Sequence, residues 1–176
     1  MFDKLMYKIL GGVAFARRKG ATVGEGCRIL TSRFGSEPWL ISIGSRVTVS
    51  SDVVFVNHDG SGWLVSDEKG RRYRYARISV GDGCFIGAGS IIMPGVRIGS
   101  RCVVGAGSVV TKSIPSGSVV AGNPAKYICE YEDFVDKVRG WRAEVEMSGE
   151  TRRQRVDSIL EEGYKMELRK GVSDVR

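Results

Sequence analysis

The chain has 176 residues, 42% of them hydrophobic and 27% charged, which suits one domain with a sizeable core. Its 24 glycines stand beside only four prolines, which excludes collagen and points to many tight turns. The net charge of +7 is carried by residues 1–125, with 16 basic and 8 acidic side chains, against 11 and 12 in 126–176. No metal-finger spacing or basic–aromatic run accompanies it, which speaks against nucleic acid and leaves a phosphorylated ligand or an anionic membrane as partners.

In chain order, residues 1–20 read as an N-terminal helix. The apolar run from Ile9 to Ala16 is too short to span a bilayer. Asp3 and the trailing Arg17, Arg18 and Lys19 suit a cleaved signal peptide poorly. Two roles stay open for it: an amphipathic cap on the domain end, or a basic interfacial helix on anionic lipid. The expected location is the cytoplasm, with a weak peripheral contact to the inner face of the membrane left open.

Residues 21–122 carry an internal repeat. An aliphatic residue returns every six positions at Val80, Ile86, Ile92, Ile98, Val104 and Val110. A compact residue follows four places later, at Cys84, Ser90, Val96, Cys102 and Ser108. The same phase runs upstream through Val23, Ile29, Ile43, Val49 and Phe55. Val23 and Ile43 lie 20 residues apart, one turn of 18 plus two; Ile43 and Val80 lie 37 apart, one turn of 18 plus 19. Three hexapeptides make a triangular coil, and coils stack at about 4.8 Å. The fold class is therefore an all-β solenoid, a parallel β-helix of about four coils with capped ends.

The surplus of 19 follows "FVNHDGSGW", which holds His58, the single histidine of the chain. A lone imidazole is more often a packed side chain than a catalyst. Asp59, Asp52 or a backbone carbonyl could orient it, and Asn57 adjoins it. Cys27, Cys84 and Cys102 share one inward phase with Val47, as small buried hydrophobes. No CxxC occurs and the four cysteines lack zinc spacing, so a structural role is favoured over a metal or a disulfide, and no metal is expected. After Pro115 the repeat stops. Residues 123–176 read as a helical extension broken near "SGET", with Ser148 or Thr151 capping a second helix.

Over roughly residues 20–128 the repeats and the end motif "GAGSVVTKSIPSGSVVAGNPAK" resemble the hexapeptide-repeat acyltransferases, whose β-helix is left-handed. "VVFVNHDGSGW" before a loop is most similar to sugar O-acetyltransferases of surface-polysaccharide synthesis. The resemblance implies acetyl-CoA as co-substrate, a homotrimer, and active sites between subunits. It implies that His58 is the general base, for which an imidazole is well matched near neutrality. It places the donor along Ala88, Ala106, Thr111 and Lys112, with Lys112 and Lys126 for CoA phosphates. It makes 59–77 the acceptor loop, with Asp59 at its start as a substrate-binding candidate; Asn57, just before it, could touch donor or acceptor or be an ordinary turn asparagine. In the loop Trp63 could stack on a sugar face, and Arg71, Arg72 and Arg74 could meet phosphates of an activated (sugar-nucleotide) or lipid-linked sugar. The plainer readings are a tryptophan packed on a neighbouring subunit and solvated arginines. N-acetylation of an amino sugar, O-acetylation of an antibiotic, and a non-catalytic trimer are the alternative functions.

Overall fold

The computed structural model describes residues 2–161, 163 and 165. From residue 22 the chain lays down short strands, mostly of two residues, that enter three parallel sheets in rotation. Ile78–Val80 joins the first sheet, Phe85–Ile86 the second, Ile91–Ile92 the third, and Arg97–Ile98 returns to the first. Each strand pairs with the one 18 residues on: Val80 with Ile98, Ile86 with Val104, Ile92 with Val110. Upstream, Val23 pairs with Ile43 and Ile43 with Val80, so both surpluses leave the register intact.

Three inward columns follow. Val23, Ile43, Val80 and Ile98 form one, and Ile29, Val49, Ile86, Val104 and Val120 the next; Phe55, Ile92 and Val110 form the third, and all are buried. Each such side chain contributes about 1.5–3 kcal/mol by leaving water. The coils approach backbone to backbone at the corners. A Cβ on Gly87 would lie 2.5 Å from Ala106 N, so only glycine fits there. Corner residues take left-handed φ, as at Gly89 (+68°), and Asp52 does so at +58°.

The thiols form a ladder between coils. Cys84 Sγ donates to Gly99 O at 3.0 Å and accepts from Cys102 N at 3.4 Å; Cys102 Sγ donates to Pro115 O at 3.1 Å. Cys84 and Cys102 are buried, while Cys27, in the first coil, is half-buried. The hydrogen bond to Cys102 and burial together push the Cys84 thiol up, away from ionisation.

The N-terminal segment forms two helices where the sequence suggested one: α1 (Phe2–Leu10) and α2 (Gly12–Arg18). Gly11, at φ 75°, breaks them, and Gly12 presses its Cα on Ile29, where a Cβ would overlap the carbonyl. The break lets α2 bury Phe15 and Ala16 over the coil end. Tyr7, Phe15, Phe34 and Phe55 then follow ring on ring, with Phe34 and Phe55 stacked at 5.4 Å.

At the other end Gly122 (φ 102°) reverses the chain, and Lys126–Glu130 pairs antiparallel with Ser118–Ala121. The segment expected to be helical thus begins as a strand on the edge of the second sheet. α3 (Tyr131–Arg139) follows. The chain forms two compact units that divide between Asp136 and Lys137. In the second, α4 (Arg152–Asp157) is capped by Thr151, whose Oγ1 accepts from Gln154 N at 3.2 Å. The extension beyond residue 165 lies outside the described residues. Among the described residues no helix is long and apolar enough to cross a membrane, and no group of three His, Cys, Asp or Glu side chains could hold a metal ion.

Candidate active site

His58 is positioned from two sides. The Val54–Phe55 strand anchors it below, with Val56 N donating to Ile92 O at 2.9 Å. Above, His58–Asp59 pairs antiparallel with Arg74–Tyr75, and Ala76 N donates to Asn57 O at 2.9 Å. The insert is therefore a structured ribbon. Ser66–Asp67 pairs with Gly70–Arg71 around a turn in which Asp67 Oδ1 accepts from Lys69 N. Glycine at φ 79° and an Asx turn explain why this polar run folds back on itself.

The partner of His58 is Glu37. Its Oε2 lies 2.9 Å from His58 Nδ1; the Glu37 side chain is only 14% exposed, that of His58 42%. Glu37 precedes a single 3-10 turn, Pro38–Leu40, within the coil that has two extra residues. Neither aspartate considered from the sequence fills this role. Asp59 Oδ1 accepts from Ser61 N at 2.9 Å and caps the next turn; the Ser61 hydroxyl and N–H hold its carboxyl below the usual range. Asp52 is an exposed corner residue. Glu37 was missed because it is 21 residues away in sequence; the one available signal was the two-residue excursion of its coil.

Asn57 is 1% exposed, and neither amide atom has a protein partner. It points into the coil, where its Oδ1 crowds Gly35 so closely that a Cβ there would overlap it.

From His58 a run of rings leads outward along the ribbon. His58 and Tyr75 lie 5.7 Å apart, Tyr75 and Tyr73 stack at 6.2 Å, and the Arg71 guanidinium sits 4.9 Å from Tyr73 and 4.5 Å from Trp63. Trp63, Tyr73 and Tyr75 are more than half exposed. Arg72 is spent within the ribbon, paired with Asp67 and donating to Gly70 O at 3.0 Å. The two tyrosines were not singled out from the sequence; their alternation in "RRYRY" was the signal, since it sets both on one side of a strand.

The remaining candidates fall on the two edges of the third sheet. Ala88 and Ala106 are exposed and stacked on its entry edge, where Gly107 N donates to Ala88 O at 2.8 Å. Lys126 opposes Ala121 just beyond, and Ala125 N donates to Val109 O at 2.9 Å. Thr111 and Lys112 leave the exit edge, in line with Val56 and Asn57 two coils away, because Met93 N donates to Val110 O. The third sheet, two residues wide, thus separates the groups, with His58 beside the threonine–lysine edge.

A base held by a mostly buried carboxylate, at the foot of an exposed aromatic ribbon, can take a proton from a bound hydroxyl. Residues 77–112 match the family model "Hexapeptide repeat of succinyl-transferase". The chain is 45% identical to protein CapG of Staphylococcus aureus over 141 residues, 78% of this chain and 81% of that one. It is 32% identical over 102 residues, 58% of this chain and 55% of the other, to YvoF of Bacillus subtilis, whose acetyltransferase name is itself provisional. The fold is shared with a maltose O-acetyltransferase from Clostridium difficile 630, at a TM-score of 0.52 and 22% identity over 73% of this chain and 84% of that one. The chain therefore belongs to the hexapeptide-repeat acyltransferase family, and it is an acyltransferase.

Proposed function

We propose that the chain transfers the acetyl group of acetyl-CoA to a sugar hydroxyl in surface-polysaccharide synthesis, directly and with His58 as general base. The observation that carries this reading is the contact of Glu37 Oε2 with His58 Nδ1. Nδ1–H donates to the carboxylate, so the lone pair sits on Nε2. The acceptor oxygen attacks the thioester carbonyl carbon while its proton passes to Nε2. The tetrahedral intermediate then expels the CoA sulfur, which takes the proton back from Nε2–H. Buried thiols bonded within the ladder at Cys84 and Cys102 favour this direct route over an acyl-cysteine.

In the same reading the coils wind left-handed and three chains assemble with clefts between them. The boundaries at residues 20 and 122 belong to this proposal too. CoA lies along Ala88 and Ala106, with Thr111, Lys112 and Lys126 toward its polar groups. The ribbon 59–77 takes the acceptor: the exposed rings of Trp63, Tyr73 and Tyr75 flank it, and Arg71, held by the Trp63 and Tyr73 rings, presents a cation to it, whereas Arg72 is paired with Asp67. Asn57, by contrast, is buried in the coil, and its backbone carbonyl, accepting from Ala76 N, ties the exit of the ribbon to the segment that bears His58.

The test is an assay with acetyl-CoA and a panel of neutral sugars, amino sugars and sugar phosphates, following thiol release and product. An alkali-labile acetyl ester is expected. An alkali-stable amide would move the chain to N-acetylation, and no thiol release with any member would overturn the reading.

Glu37→Gln should lower kcat by about tenfold to 10²-fold, part of what a positioned base contributes, with KM for acetyl-CoA little changed. Its role is positioning, so Glu37→Asp should recover part of the loss. A rise in both KM values at constant kcat would show that Glu37 only supports the fold of the cleft.

A further inference from the structure

α1 has a wider apolar arc than its own contacts use. Met6 and Tyr7 pack partly buried against the core, and Tyr7 Oη donates to Ile29 O at 3.3 Å. Leu5 and Ile9, one turn apart on the adjoining strip, remain 58% and 72% exposed. Leu5, Met6, Ile9 and Leu10 line a shallow hollow of about 200 Å³ with Arg18 at its side. Leu10 also borders a second hollow, which runs on to Arg28 and the 44% exposed Leu30. An apolar strip thus continues from Leu5 to Leu30, and Arg18 and Arg28 flank it. Lys8 lies on the opposite side of α1 from Met6 and is exposed. No carboxylate lines either hollow.

We propose that this end of the chain docks on an anionic lipid bilayer, with Leu5 and Ile9 entering the headgroup–acyl boundary and Arg18 and Arg28 meeting lipid phosphates. Nine residues are too few to cross a bilayer, so α1 lies in its plane. Charge selects this occupant. A second copy set face to face about a two-fold axis would bring Arg18 and Arg28 against their own counterparts, and the strip itself carries no carboxylate to pair with them. An acidic, flat, apolar-backed surface satisfies the leucines and the arginines together. With few anchoring groups the docking is reversible and salt-sensitive. It does not depend on the acetyl-transfer reading.

The experiment is co-sedimentation of the full chain with vesicles of phosphatidylcholine containing about a third phosphatidylglycerol, against pure phosphatidylcholine. The wild type should enrich on the anionic vesicles and be released by high salt. Leu5→Glu with Ile9→Glu should reduce partitioning by about tenfold or more. Ile9→Ser, milder and at the more exposed position, should reduce it severalfold with an unchanged melting curve. Equal partitioning on both vesicles, or a double variant that binds like the wild type, would overturn the proposal. So would a smaller assembly of the double variant by light scattering without lipid, which would assign the strip to contacts between copies of the chain.

Discussion

His58→Ala should fold and assemble like the wild type and lose acetyl transfer by roughly 10²–10⁴-fold in kcat, the usual contribution of a positioned base. The imidazole lies outside the three columns. Its contacts are one bond to Glu37 and the flank of Tyr75. Removing it leaves a mostly buried carboxylate without its donor, which costs about 1–3 kcal/mol. That lowers the melting temperature modestly and leaves the coil intact. Initial rates at saturating acetyl-CoA and acceptor, beside a melting curve, check both halves. A variant that keeps half of wild-type turnover would refute the assignment, and one that fails to fold would make His58 a structural residue.

Phe55→Ala should be the most damaging single change to stability, at about 3–5 kcal/mol by urea denaturation. Phe55 is fully buried and stacks on Phe34 at 5.4 Å. It ends the aromatic series that closes the coil, so its neighbours cannot collapse into the space without unpacking Phe15. It also ends the strand Val54–Phe55, three residues before His58. Activity should therefore fall before the global transition as denaturant is added. Coincident loss of activity and fold would show that the strand does not yield locally.

The coil was legible because its signal is strictly local and repeated. Ile86, Ile92 and Ile98 recur at a spacing that no helix or flat sheet requires, and the observed pairs keep it at 18 residues. The catalytic candidate was legible for the opposite reason, because one histidine stood where the repeat was interrupted. Its carboxylate was not. Glu37 comes from another coil, and a distance between two coils is set by stacking, which no short stretch of sequence encodes. The aspartates nearer in sequence were more visible and are occupied otherwise, Asp59 by Ser61 and Asp52 by a corner. The strand at Lys126–Glu130 was hidden among charges, because it pairs on one edge only and buries little. The break at Gly11 depended on where the Arg28–Ile29 strand lies, which becomes visible only when the coil is built.

The ribbon after His58 begins and ends at one place. His58 and Asp59 lie opposite Tyr75 and Arg74, so the entry and exit of the insert are neighbours across a single pair of strands. Such a segment is a cassette. The stacked frame beneath it sets only the separation of the two ends, and doubling the length between them costs only about 0.6 kcal/mol of closure entropy. In the proposed reading acceptor preference can therefore drift, or be transplanted from one chain to another, while His58 and Glu37 stay where the frame holds them.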